Sequence, residues 1–177
     1  GAKPLAFTLA LALPRVHEPW LAEFARGLFE LANEHDCELV GGDTTAGPLN
    51  ICITVFGEVP VDHGRSLALL RSGARAGDDI YVSGTLGDAR LALEVFRGAQ
   101  SLDGRDFDAV RRALELPQPR VALGLALRGV ASSAIDVSDG LLGDLRHVLQ
   151  RSGVDAVIEV DALPRSATPA SSARPLR

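Results

Sequence analysis

Two short acidic segments carry the side chains that could most directly do chemistry. The first has the sequence GGDTTAGP at residues 41–48, after a short apolar run at residues 37–40 that predicts a strand. Two glycines let a backbone turn tightly and approach a ligand closely. Beyond that predicted turn, the Asp43 carboxylate would offer a hard oxygen ligand suited to Mg²⁺ beside phosphates. The alternative is a turn aspartate that bonds only its own backbone.

The second segment, IDVSDG at residues 135–140, ends an apolar stretch with Asp136, where a lone carboxylate is costly to bury unless it is paired or metal-bound. Two carboxylates about 4 Å apart repel by about 4 kcal/mol at an intermediate dielectric constant, so their clustering favours bound Mg²⁺. Alternatively, Ser138 or Asp139 caps a helix that begins near Gly140. Together the two segments suggest a metal-dependent nucleotide site assembled from distant parts of the chain.

Composition narrows the function classes. The net charge of −5 argues against a general role on nucleic acids or membrane surfaces. No apolar run approaches the ~18 residues that span a bilayer, so we predict a cytoplasmic protein with neither nucleic acid nor membrane as partner. Cys37 and Cys52 lie in apolar runs without metal-type spacing, which predicts buried free thiols.

Phosphate chemistry would have to rely on arginine and metal. Lys3 is the one lysine among 18 basic residues, and no GxxxxGK[ST] motif is present. Arg71 could clamp a phosphate, although a lone arginine is more often a solvated surface residue. The glycine-rich segment 84–88 could cradle a phosphate, but an ordinary turn leading into a helix is the simpler explanation. We assign no residue as a catalytic acid or base.

Hydrophobic periodicity predicts the elements that position these residues. Alternation predicts a strand at 5–13 with one bulky and one small face, and another strand at 49–55. Between them, Pro19 suits the first turn of a helix, whose apolar stripe is Trp20, Phe24, Leu28 and Leu31. The order strand, helix, strand, strand predicts an α/β fold of the α+β type.

The second half of the chain predicts shorter elements. Strands are expected at 79–84, 134–137 and 154–160. Helices are expected up to Phe96 from the 84–88 turn, at 106–116 with Asp106 as cap, at 119–128 as a buried helix, and at 141–149. We expect domains at 1–62 and 63–164, and a flexible tail at 165–177 that is rich in Ser, Ala, Pro and Arg.

The ordered motifs GGDTTAGPLNICITVFGEVP, LLRSGARAGDDIYVSGTLGDARLAL, PQPRVALGLAL and AIDVSDGLLGDL resemble the bacterial thiamine-monophosphate kinase family over roughly residues 1–164. That family belongs to the aminoimidazole ribonucleotide synthetase-like superfamily. The resemblance implies a two-domain fold, in which the N-terminal domain binds ATP and Mg²⁺ and dimerises through a shared sheet. It implies a homodimer with ATP and thiamine monophosphate as substrates.

The resemblance also implies roles for individual residues. Nucleotide contacts would come from Gly42, Asp43, Arg71 and Ser138, and Mg²⁺ ligands from Asp43, Asp136 and Asp139. The implied reaction is ATP-dependent phosphorylation of thiamine monophosphate to thiamine diphosphate. Its acceptor is a phosphate oxygen that is already ionised near pH 7, so positioning and charge neutralisation would dominate. The alternatives are another superfamily member, such as an ATP-dependent amidine-forming cyclase or a hydrogenase-maturation protein, or a non-catalytic fragment.

The ends of the chain raise a further expectation. The sequence contains no methionine, and residues after Pro164 do not resemble the family. We therefore expect a fragment that is incomplete at both termini and inactive by itself. We also expect the strand at 5–13 to lie at an exposed sheet edge, where it would favour self-association.

Overall fold

The computed structural model describes residues 1–167 and the backbone of residues 174 and 175. The chain divides into two compact units. The first comprises residues 1–68 and 121–130, and the second comprises residues 69–120 and the described residues from 131 onward. The predicted domain limits, 1–62 and 63–164, stay predictions. The predicted tail at 165–177 lies largely outside the described residues.

The first unit is built on a three-stranded sheet in the order β2-β1-β3. Its elements are β1 (Lys3–Leu13), α1 (Glu18–Glu34), β2 (Glu38–Ala46), β3 (Asn50–Glu58), the short hairpin β4 (Val61–Asp62) and β5 (Arg65–Ser66), and α4 (Val121–Ala126). Strand β1 pairs parallel with β2 and antiparallel with β3. The expectation that the first strand forms a sheet edge was therefore wrong, because both of its edges are hydrogen-bonded.

The two faces of β1 differ as its alternation predicts. Its bulky side chains Phe7, Leu11 and Leu13 are buried. On the opposite face, the strand register aligns Ala10 with Asp43 of β2 and Cys52 of β3. Cys52 is exposed and Cys37 is half-buried, and both are free thiols. The prediction of free thiols is confirmed, but their predicted burial was wrong, since the small face of the sheet leaves Cys52 uncovered.

Helix α1 begins close to the predicted residue. His17 accepts a hydrogen bond from the Trp20 N–H through its Nδ1 at 3.2 Å, and Pro19 lies in the first turn. Toward the end of the predicted stripe, Leu31 is 44% exposed and Ala32 is 8% exposed. Ala32 rather than Leu31 is buried because it lies four residues after Leu28 and so continues the apolar stripe of the helix.

The glycine segment is strand rather than turn, which corrects the sequence prediction. Strand β2 runs through Gly41, Gly42 and Asp43 without a break. A register shift leaves Val40 as an extra residue opposite β1, which is a β-bulge. Gly42 has φ +146°, and a Cβ there would lie 1.9 Å from the Leu9 carbonyl oxygen. Glycine at this position therefore permits a close approach of β2 to β1.

The second unit is largely helical among the described residues. Its elements are α2 (Asp88–Phe96), β6 (Gln100–Ser101), α3 (Gly104–Glu115), α5 (Leu141–Ser152), a 3₁₀ helix at Val160–Ala162 and β7 (Arg174–Pro175). Ala92 of α2 and Val110 of α3 are buried. The cap of α3 is Asp103, whose Oδ1 accepts from the Asp106 N–H at 2.9 Å, so the predicted cap was wrong by one turn.

Several other predicted elements differ in the structure. Residues 79–84, 134–137 and 154–160 do not form strands. A strand requires a neighbour that pairs along its length, and the segment 134–137 has a single such bond, from the Ala134 N–H to the Leu70 oxygen at 2.9 Å. The predicted buried helix at 119–128 is the short α4, which contains no buried residue.

We predict that Gly42→Ala destabilises the fold by about 3 kcal/mol, because the new Cβ meets the β1 backbone and φ is positive. Gly41→Ala is the matched control, since a Cβ there has nothing within 4 Å. It should change the free energy of unfolding by less than about 1 kcal/mol. Urea denaturation measures both variants, and equal effects would contradict the close approach.

Candidate functional site

Asp43 lies in the first unit, on the exposed strand β2. Its Oδ1 accepts a hydrogen bond from the Thr44 N–H at 2.8 Å. In the described part of the chain its other carboxylate oxygen has no hydrogen-bond partner. This local bond is the one that the turn alternative predicts, although it occurs within a strand. The second oxygen is available to a ligand.

The acidic segment at the start of α5 is held by a residue that sequence reasoning missed. One oxygen of Asp144, Oδ2, accepts three backbone hydrogen bonds: from the N–H groups of Ser138 at 2.9 Å, Asp139 at 3.0 Å and Gly140 at 3.1 Å. The signal was present in the sequence. Asp144 lies on the apolar stripe of α5, three residues after Leu141, where a carboxylate needs hydrogen-bond donors to be buried.

The capping alternative for Ser138 and Asp139 was therefore wrong. The residue preceding α5 is Gly140, with φ +110°, and no side chain caps the helix from that position. Asp144 instead accepts from Gly140 and from the two residues before it, Ser138 and Asp139. Within the described residues, the Asp139 carboxylate makes no hydrogen bond or salt bridge. Its charge is available to a ligand.

Local hydrogen bonds lower the pKa of Asp136. The Ser138 Oγ–H donates to Asp136 Oδ2 at 2.6 Å. That hydrogen bond is the main cause of a lowered pKa for Asp136, followed by the bond from its own backbone N–H and a smaller contribution from the charge of Arg71. The Ser138 proton is thus committed to Asp136, and the hydroxyl lone pairs remain.

The backbone of Arg71 is held by Ser152, the last residue of α5. Ser152 Oγ, in the last residue of that helix, accepts from the N–H groups of Gly73 and Ala74, both at 3.2 Å, and donates to the Arg71 carbonyl oxygen at 3.3 Å. The Arg71 side chain is exposed, and in the described part of the chain it forms no salt bridge. Its guanidinium group remains available for an anion.

The glycine-rich segment 84–88 is a turn at the start of α2. Gly87 precedes the helix with φ +95°. The Asp88 carboxylate accepts from Thr85 Oγ1 at 2.6 Å and from Ser166 Oγ at 2.7 Å. The Asp88 carboxylate therefore already lies at the start of α2. Its negative charge disfavours a phosphate there, which supports an ordinary turn leading into a helix.

The predicted site residues fall in both units. Arg71, Asp136, Ser138 and Asp139 belong to the second unit, and Gly42 and Asp43 belong to the first. Among the described residues, no group of three or more His, Cys, Asp or Glu side chains could hold a metal ion. Mg²⁺ is commonly held by one or two carboxylates together with substrate phosphates. The carboxylates of Asp136 and Asp139 fit that donor set, and their joint site with Asp43 stays a prediction.

Comparisons with known proteins show which proteins this chain resembles. Residues 1–59 match the family AIR synthase related protein, N-terminal domain, and residues 75–176 match its C-terminal domain. Thiamine-monophosphate kinase of Salmonella typhimurium is 48% identical over 169 residues, which are 94% of this chain and 50% of that protein. The chain spans about half the length of the curated relatives it matches.

Two solved structures give the same result. Thiamine-monophosphate kinase from Stenotrophomonas maltophilia K279a is 46% identical with a TM-score of 0.85, and the match covers 94% of this chain and 53% of that one. AaThiL complexed with AMPPCP and TMP is 30% identical with a TM-score of 0.83, over 95% of this chain and 53% of that one. The resemblance and the AIR synthase-like fold predicted from the motifs are confirmed. Among the described helices, none is long and apolar enough to cross a membrane.

We predict that Asp139→Ala changes the free energy of unfolding by less than about 0.5 kcal/mol, because no side chain caps α5 from its N-cap position and the Asp139 carboxylate makes no hydrogen bond among the described residues. A lost cap would instead cost about 1 kcal/mol. Urea denaturation in the absence of Mg²⁺ measures the difference. Asp103→Ala is the positive control, since Asp103 does cap α3.

We predict that Ser138→Ala raises the pKa of Asp136 towards its ordinary value, because the largest cause of the lowered pKa is lost. A lowered pKa in the folded state contributes stability above about pH 3.9, the unfolded value. That stability is lost as the pH falls through the folded pKa. NMR titration of the Asp136 carboxyl carbon measures the pKa in both proteins. Ser133→Ala, which removes no bond to Asp136, should leave the titration unchanged.

Proposed function

The chain belongs to the AIR synthase related protein family, and we propose that the protein is a kinase that phosphorylates thiamine monophosphate to thiamine diphosphate with ATP. The observation that carries the proposal is the 48% identity to a thiamine-monophosphate kinase over 94% of this chain. AaThiL, which is 30% identical, is complexed with AMPPCP and TMP, and AMPPCP is a non-hydrolysable analogue of ATP. These similarities favour this activity over an amidine-forming cyclase.

The residues suit a reaction between two anions. Transfer of the γ-phosphoryl group to a phosphate oxygen needs no general base, because that oxygen is already ionised. Asp43, Asp136 and Asp139 would hold Mg²⁺, which when bound neutralises phosphate charge and aligns the reacting groups. The lowered pKa of Asp136 keeps its carboxylate ionised and ready to bind a cation.

Nucleotide contacts would come from Gly42, Asp43, Arg71 and Ser138. Arg71 offers an exposed guanidinium group whose backbone is fixed by Ser152, and an arginine can bind phosphate through two parallel hydrogen bonds. Ser138 would accept a hydrogen bond from the nucleotide, since its own proton is donated to Asp136. Gly42, where the β1 backbone occupies the place of a side chain, would contact the nucleotide through its own backbone. We assign no catalytic acid or base.

The proposal includes a homodimer in the cytoplasm. Strand β3 is exposed along its whole length and carries Ile51, Ile53, Val55 and Phe56, each at least 42% exposed. An exposed apolar strand of this kind supports pairing with a second copy. The two free cysteines are consistent with a reducing compartment.

The experiment is an assay of thiamine diphosphate formation from thiamine monophosphate and Mg-ATP by the full-length protein. We predict that Asp43→Asn lowers kcat by about 100-fold, because one charge that holds the cation is lost while the shape is kept. Asp62→Asn is the matched control, since Asp62 is an exposed carboxylate of the same unit outside the proposed site.

The control should retain the unmodified kcat. An unmodified protein that makes no thiamine diphosphate but turns over a ribonucleotide amidine substrate would replace the kinase proposal with the cyclase. An Asp43→Asn protein with unchanged kcat at limiting Mg²⁺ would make Asp43 a structural residue.

A further inference from the structure

Asp144 is the one charged residue among the buried side chains of the described chain, with 6% exposure. Its Oδ2 accepts three backbone hydrogen bonds of 2.9, 3.0 and 3.1 Å from consecutive residues. Those residues are Ser138, Asp139 and Gly140. Asp144 belongs neither to the proposed Mg²⁺ ligands nor to the proposed nucleotide contacts.

The three hydrogen bonds fix the backbone that carries the candidate metal ligands. Hydrogen bonds from N–H groups to an ionised carboxylate are about twice as strong as neutral ones. They orient the acidic segment directly before α5, including Asp139 itself and Ser138, whose hydroxyl holds Asp136. Residues that orient metal ligands typically contribute 10- to 100-fold to metal affinity.

The same contacts limit which backbone donors of the segment before α5 can bind a ligand. Successive free backbone N–H groups form sites that attract anions such as phosphate. Here the N–H groups of Ser138, Asp139 and Gly140 already point at the Asp144 carboxylate. These three donors are therefore not available to a substrate phosphate, whereas the side chains of Asp136 and Asp139 on the same segment remain available to a cation.

We propose that Asp144 is a positioning residue of the kinase site, which orders the segment 136–140 so that Asp136 and Asp139 bind a divalent cation. This inference rests on the proposed function for its role in catalysis. The ordering of the backbone by Asp144 does not depend on the proposed function. Asp144 itself contacts neither the cation nor the substrates.

The test compares Asp144→Asn with the unmodified full-length protein. Asparagine keeps the shape but replaces the ionised acceptor with a neutral one, so the Mg²⁺ concentration for half-maximal activity should rise about tenfold or more. The Mg²⁺ concentration that gives half of the Mg-ATP-dependent increase in melting temperature should rise in parallel. This second measurement does not require turnover.

Val110→Ala is the matched control, because Val110 is a core residue of the same unit at 1% exposure and belongs to α3 rather than to the acidic segment. It should lower the melting temperature without changing the Mg²⁺ requirement. If Asp144→Asn lowers the melting temperature in the same way and leaves the Mg²⁺ requirement unchanged, Asp144 has a structural role only and the proposal is overturned.

Hydrogen exchange keeps the proposal testable if Asp144→Asn does not fold. In the unmodified protein, the amides of residues 138–140 should exchange slowly although their residues are exposed. Exchange at the rate of unprotected amides would overturn the proposal. If the unmodified protein forms no thiamine diphosphate, the kinase proposal fails, whereas the exchange and Mg²⁺-dependent melting experiments still decide the role of Asp144.

Discussion

Hydrogen bonds from backbone N–H groups to side-chain oxygens hold the irregular part of this protein in place. In the second unit, Asp144 binds residues 138–140, and Ser152 binds residues 73 and 74. Asp78 accepts from the Arg75 N–H at 2.9 Å and from Ser132 Oγ at 2.6 Å. Buried or part-buried backbone groups need partners, and the candidate ligands lie on the segments that these side chains hold.

In the first unit, hydrogen bonds between paired strands hold the segment that carries the candidate ligand. Asp43 follows a β-bulge and a glycine whose backbone lies against β1, so its direction is set by strand register. A one-residue slip would move the carboxylate to the other face of the sheet. Hydrogen bonds between paired strands thus place Asp43, whereas the hydrogen bond from its backbone to the Asp144 side chain places Asp139. Different substitutions would disturb the two residues. A side chain at Gly42 would meet the β1 backbone and disturb Asp43, whereas loss of the buried Asp144 carboxylate would disturb the acidic segment.

The sequence predicted elements well where the periodicity was strong. Strand β1, helix α1 and helix α5 lie within a few residues of their expected positions because apolar spacing specified them. The prediction of a turn at Gly41 and Gly42 was wrong because Gly and Asp are poor strand formers. Only pairing with β1 extends β2 through them. Asp144 was missed although its carboxylate lies on the apolar stripe of α5, because the backbone groups that donate to it are brought there by the fold. The acidic segments were found because their residue types carry the chemistry directly.

The carboxylates of the acidic segment differ in how their charge is balanced, and that difference bears on the proposed reaction. Asp144 faces three N–H donors, and Asp136 has the Ser138 hydroxyl and the charge of Arg71. The Asp139 carboxylate has no such partner among the described residues. Helix capping does not explain Asp139, because no side chain caps α5 from its N-cap position. Repulsion between neighbouring carboxylates is relieved by a cation, and the same cation would relieve the repulsion between ATP and a phosphorylated acceptor.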